Sequence, residues 1–136
     1  MSNPELALLI AVPIVAATLP LLAGLKFEAV GWPIAALTAA VELALAGSVV
    51  RRVVAEGRFV HNLGGYPRTY GIELVVDEFS AVVISLIAVV TLVVVAYARR
   101  GGPRENAFYS AFLLLLGGLM GVGLTGDVFN MFVFLE

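Results

Sequence analysis

This sequence predicts an all-α integral membrane protein: four full transmembrane helices, the first half of a fifth, and a small β-hairpin between helices 2 and 3. Three observations carry that expectation. Of the 136 residues, 61% are hydrophobic and only 13% are charged, whereas a soluble domain carries roughly 25% charged residues. The apolar residues gather in four runs, each long enough for a hydrocarbon core about 30 Å thick, which takes about 20 helical residues to cross. One clearly polar stretch, residues 51–77, interrupts them, and its second half alternates apolar and polar side chains with the period of a strand. The whole reads as a single membrane domain over 1–136, with helices at about 5–25, 30–52, 78–98, 105–124 and 127–136 and the hairpin at about 58–76.

The first run extends from Leu6 to Leu25. Its start, Met1-Ser2-Asn3-Pro4-Glu5, has no basic side chain, unlike a secretory signal, so an uncleaved helix is expected. Pro4 suits a first helical turn. Pro13 and Pro20 lie inside the run and each removes a backbone donor, which a packed membrane bundle tolerates. A short loop with Lys26 and Glu28 follows. Trp32 and Pro33 then mark an interface and a helix start, and Arg51 and Arg52 are expected to stop this second helix.

Inside helix 2 sits Glu42. Ala35, Thr38, Ala39 and Ala46 share its face at spacings of three and four. Small residues so spaced let another helix approach closely, so Glu42 should face protein or a water-filled cavity. Two readings stand: a locally paired structural carboxyl, or a group on an ion path, the default for an ionisable side chain within a membrane.

In the polar stretch, Ile72, Leu74 and Val76 alternate with Glu73 and Val75, which predicts one arm of a hairpin lying on the membrane surface. Phe59, Tyr66 and Tyr70 would sit at headgroup level. His61 should face water or pack within the hairpin. Asp77 then opens helix 3 as a cap for its free backbone donors, and both Asp77 and Glu78 suit the positive end of the helix dipole. Tyr97, Arg99 and Arg100 close that helix, and Gly101-Gly102-Pro103-Arg104 makes a tight loop. Helix 4 follows from Ala107 to Leu124. Near its end Gly117 and Gly121 form a G-x-x-x-G pair, a close packing face. No strand precedes these glycines and no lysine follows them, so they do not form a phosphate-binding loop.

The last stretch runs from Leu124 to Glu136. Asp127 is expected to cap a helix whose residues are apolar except for Asn130, and the stretch ends on Glu136. Eight residues past Val128 at ~1.5 Å each place Glu136 about 12 Å into the hydrocarbon, near its middle. This is the first half of a span, and another polypeptide is expected to continue it.

Composition also narrows the chemistry. The formal net charge of -2 gives no basic bias toward a nucleic acid. Without cysteine there is no disulfide, thiolate metal site or iron–sulfur ligation, and one histidine makes no two-histidine site. No nucleophile elbow or metal-ligand set is present, so no catalytic chemistry, metal or cofactor is expected in this chain. Counting basic residues does not orient it. Arg51, Arg52, Arg58 and Arg68 lie on one side, and Lys26, Arg99, Arg100 and Arg104 on the other.

From Thr125-Gly126-Asp127-Val128-Phe129-Asn130 through Met131-Phe132-Val133-Phe134-Leu135-Glu136, the pattern resembles the fifth-helix signature of the antiporter-like membrane subunits. These occur in Mrp-type cation/proton antiporters, energy-converting hydrogenases and respiratory complex I. Gly64-Gly65-Tyr66-Pro67 and the run Tyr70 to Ala81 resemble the hairpin and third-helix start of the Mrp D-type and hydrogenase H-type subunits. Phe108-Tyr109 and the Leu- and Gly-rich run after them resemble the fourth helix. The resemblance is to the N-terminal quarter to third of such a subunit. It implies that Glu136 is a proton-handling carboxylate whose lysine partner lies on a later helix, and that the N-terminus and hairpin face outward from the cell membrane. Glu42 has no counterpart in the motif.

The expectation is therefore a component of a proton- or cation-translocating membrane complex. Glu136 and Glu42 would carry protons, and other membrane subunits, lipid, protons and a cation such as Na+ would be its partners. The alternative is a structural or assembly subunit of a respiratory or hydrogenase complex that moves no ion itself.

Overall fold

A computed structural model describes residues 4–62 and 71–136. The elements in chain order are α1 (Pro4–Ala23), α2 (Gly31–Glu56), β1 (Phe59–Asn62), β2 (Glu73–Val76), α3 (Glu78–Gly101), α4 (Asn106–Leu124) and α5 (Val128–Leu135). Among the described residues α1, α2, α3 and α4 are long and apolar enough to cross a membrane, and α5 is short, at eight residues. The chain is a multi-pass membrane protein, with the hairpin between helices 2 and 3 as expected.

Helix α2 runs four residues past the expected end at 52. Arginine is a good helix former, and a charged pair beyond the hydrocarbon does not stop a helix. Gly57 does: its φ of 78° lies in the left-handed region that glycine enters without steric cost, and its N–H donates to Val53 O at 2.8 Å. The membrane-crossing part still fits. Trp32 and Arg51 are 19 residues apart, about 29 Å of helix.

The bundle packs α1 against α4 and α2, α2 against α3, and α4 against α3 and α5. Small side chains set these approaches. Ala35, Ala39 and Ala46 of α2, Ala88 of α3 and Ala17 of α1 are all buried. Between them lie Leu6 and Leu9 of α1, Ile84 of α3, and Leu113 and Met120 of α4. Polar side chains also fasten one helix to the backbone of another. Ser110 of α4 donates to Ala17 O of α1. Asn106 Oδ1 accepts from Gly31 N at 2.9 Å, so the start of α4 caps the start of α2. Trp32 Nε1 donates to Val95 O at 2.8 Å and ties α2 to the end of α3.

In the hairpin, β1 and β2 are antiparallel, with Phe59 opposite Val76 and His61 opposite Leu74. Leu74 and Val76 are buried against the bundle while Glu73 and Val75 are half-buried, the two-residue alternation read from the sequence. The far edge of β2 is also used. Leu74 bridges Thr125, and Gly126 N donates to Glu73 O at 2.9 Å. The link from α4 to α5 is thus stitched to the hairpin, and that fixes where α5 begins. The Gly64-Gly65-Tyr66-Pro67 motif and the expected interfacial places of Tyr66 and Tyr70 lie outside the described residues.

Candidate functional site: the carboxyl groups of Glu42 and Glu136

Helix α5 starts at Asp127. Its Oδ1 accepts from Phe129 N at 3.0 Å, and its Oδ2 accepts from Asn130 Nδ2 at 3.2 Å. Asn130 is the one buried residue of α5. The amide that breaks the apolar run therefore turns inward to complete the cap, while Phe129, Phe132 and Val133 face outward. Thr125 Oγ1 accepts from Asp127 N at 3.3 Å, closing the turn before the helix.

From that fixed start the helix carries Glu136 to its far end, where its N–H donates to Phe132 O at 3.2 Å. The side chain is exposed and borders a cavity of about 510 Å³ shared with Ile14 of α1 and Leu115, Gly118 and Leu119 of α4. The cavity is mostly apolar. Glycines of α4 let α5 pack closely on this side. A Cβ at Gly121 would collide with the Phe134 ring, and one at Gly118 would come within 2.9 Å of Phe134 O. Gly117 faces another neighbour: a Cβ there would stand 2.6 Å from Ile14 of α1. The G-x-x-x-G pair thus serves two contacts, one with each flanking helix.

Glu42 is fully buried in α2, and Ala35, Thr38, Ala39 and Ala46 on its face are buried with it. Thr38 spends its hydroxyl on Ile34 O at 2.9 Å. Both carboxyl oxygens of Glu42 lack a hydrogen-bond partner among the described residues. An unpartnered buried carboxyl is costly, so this position calls for a proton, a cation or a donor.

The two carboxyl groups are approached from opposite membrane faces. Glu42 lies ten residues beyond Trp32, about 15 Å, and Glu136 eight residues beyond Val128, about 12 Å. Asp77 stands outside the membrane at the start of α3, its Oδ1 accepting from Ser80 N at 2.8 Å. That hydrogen bond, with help from the Ser80 side chain and from Arg58, holds its carboxyl below the ordinary value of 3.8. Among the described residues no group of three His, Cys, Asp or Glu side chains could hold a metal ion.

No local signal in the sequence points to Asn106, whose partner is 75 residues away.

Four membrane-crossing helices, a hairpin bonded to the α4–α5 link and a short capped helix ending on a carboxylate define the class: an antiporter-like membrane subunit. In sequence and fold the chain matches the N-terminal part of such subunits. It is 39% identical over 100 residues to the D-type subunit of the Na(+)/H(+) antiporter of Bacillus subtilis (strain 168), which is 71% of this chain and 20% of the relative. It is 43% identical over 79 residues to the N-type subunit of the NADH-quinone oxidoreductase of Desulforudis audaxviator (strain MP104C), covering 54% of this chain and 16% of that one. Among solved structures, a chain of the Mrp complex from Dietzia sp. DQ12-45-1b superposes with a TM-score of 0.88 at 30% identity, over 98% of this chain and 26% of that chain. The chain thus spans a fifth or less of the length of these two curated relatives. No family model matches it.

Proposed function

We propose that this chain is the N-terminal part of a subunit in a proton- or cation-translocating membrane complex, and that Glu136 is its proton-handling carboxylate. The similarity to an Na(+)/H(+) antiporter subunit carries the reading. The position of Glu136 supports it: helix rise from Val128 puts it about 12 Å along α5, at the end of a helix whose start is fixed by Asp127, and beside a cavity lined in part by Gly118. A carboxylate there takes and releases a proton as a nearby cation approaches or withdraws. The partners are other membrane subunits, one of which supplies the cation beside Glu136, and the ions moved are protons and a cation such as Na+. Glu42 is the second proton-carrying group. The complex lies in the cell membrane, with the hairpin and N-terminus on the outer face.

The experiment is proton uptake by vesicles holding the assembled complex. Glu136→Gln keeps the side chain's shape and removes its titration, so coupled uptake should be lost while subunit content is unchanged. Glu136→Asp draws the carboxylate back by one methylene and should keep part of the activity. Normal uptake by the Gln variant would overturn the assignment.

A further inference from the structure

On the side opposite the hairpin, the end of α3 and the start of α2 form a concavity of about 840 Å³ lined by Trp32, Ala96, Tyr97, Arg99 and Arg100. The transport reading uses none of these residues. We propose that this concavity binds one anionic phospholipid, with its phosphate on Arg99 and Arg100 and an acyl chain along α3.

Three features specify this occupant. The first is charge: among the described residues neither arginine has an ion pair, so two cations stand together without a carboxylate. This membrane side carries four basic residues (Lys26, Arg99, Arg100, Arg104) against two acidic ones (Glu28, Glu105), and a basic cluster at a membrane boundary attracts anionic headgroups.

The second is pre-organisation. The guanidinium of Arg99 lies 5.1 Å from the centre of the Trp32 ring. Trp32 is itself held by its hydrogen bond to Val95 O. Stacking on the indole costs Arg99 none of its donors, and its planar fork suits two phosphate oxygens. Tyr97 flanks the site as an interfacial aromatic. Ala96 supplies the hollow, because a larger side chain would fill it.

The third feature is what lies beneath. Leu86, Val90, Val93 and Tyr97 are exposed at spacings of four, three and four and form one stripe leading to the arginines. From Leu86 to Tyr97 the helix rises about 16 Å, close to half the ~30 Å core, the depth of one leaflet. Free phosphate would satisfy the arginines and leave the stripe unused, whereas a lipid uses both.

Trp32 is the only tryptophan in the chain, so its emission reports the site. The full chain is placed in phosphatidylcholine vesicles, and acyl-brominated phosphatidylglycerol or acyl-brominated phosphatidylcholine is titrated in. Two arginines at the headgroup should bring half-quenching at about tenfold lower mole fraction of the anionic lipid. Replacing both (Arg99→Gln with Arg100→Gln) should merge the two curves. The charge-preserving pair (Arg99→Lys with Arg100→Lys) should keep most of the gap, and so should Arg51→Gln on the other face. Excess inorganic phosphate should not alter the curves; if it abolishes the gap, the site takes free phosphate and the lipid assignment fails. Equal quenching by both lipids overturns the proposal. So does the absence of quenching by either, which would mean that no acyl chain reaches Trp32.

Discussion

Asp77 and Asp127 each satisfy a backbone donor that a helix start leaves open, Asp77 on Ser80 N and Asp127 on Phe129 N. For Asp77 the register of the hairpin adds a second influence. Phe59 pairs with Val76, which brings Arg58 beside Asp77. Bond and charge both favour the ionised carboxyl, so its folded-state pKa is lowered. The unfolded chain then binds the proton more readily than the folded one. Stability from this group is therefore complete above the ordinary value of 3.8 and is lost as pH falls through it toward the lowered value. Thermal unfolding of the detergent-solubilised chain should show a decline below about pH 4 that is shallower in Asp77→Asn than in the parent. An unchanged acid limb would show that the cap does not couple to folding. Both caps could be read from the sequence, because an aspartate before an apolar run is a local signal. The inward turn of Asn130 could not: its partner is local, but the side chain's burial depends on tertiary packing.

Helix α4 shows how one element serves two neighbours. Its glycines are spaced for close packing, yet Gly117 accommodates α1 through Ile14 while Gly121 accommodates α5 through Phe134. Spacing in the sequence gives the approach but not the partner, since residues four apart point about 40° from each other and can meet different helices. The same limit hid the bond from Gly126 to Glu73, which joins segments more than fifty residues apart. The helices themselves could be read, because length and hydropathy set them. The end of α2 is set by Gly57 and not by the arginine pair, because backbone conformation and not charge stops a helix. A consequence follows for α4. Gly117→Ala should lower unfolding stability by about 1–3 kcal/mol, since its Cβ would overpack against Ile14. Gly47→Ala, where a Cβ meets nothing within 4 Å, should instead raise it by about 0.5–1 kcal/mol through helix propensity. Gly121→Ala presses on Phe134, two residues before Glu136, and should reduce coupled proton uptake in the assembled complex more than Gly117→Ala does. Equal effects on uptake would mean that the position of α5 does not matter to transport.

Across the whole molecule the charges are sorted by depth. Six acidic residues (Glu5, Glu56, Glu73, Asp77, Glu78, Asp127) lie at the hairpin face and two at the other, which leaves Glu42 inside α2 and Glu136 at the end of α5. Small residues around Glu42 made its burial legible in the sequence. That its oxygens have no partner among the described residues was not legible, since that depends on every helix packed against α2. Such a group works against the stability of the bundle it sits in. A side chain of similar volume without polar atoms removes that cost, so Glu42→Leu should stabilise the chain by about 1–3 kcal/mol. If Glu42 also carries protons, the same substitution should depress coupled uptake in the assembled complex, a trade between stability and activity that functional sites commonly show. Glu42→Gln separates the two effects: it keeps a polar group in place and removes titration, so uptake should fall without the gain in stability. The measurements are thermal unfolding of the detergent-solubilised chain and proton uptake by vesicles, with subunit content determined on the vesicle sample. A stabilised Glu42→Leu variant with full uptake would leave Glu42 as a tolerated structural defect. A destabilised one would mean that the carboxyl has found a partner in the membrane and contributes to holding the helices together.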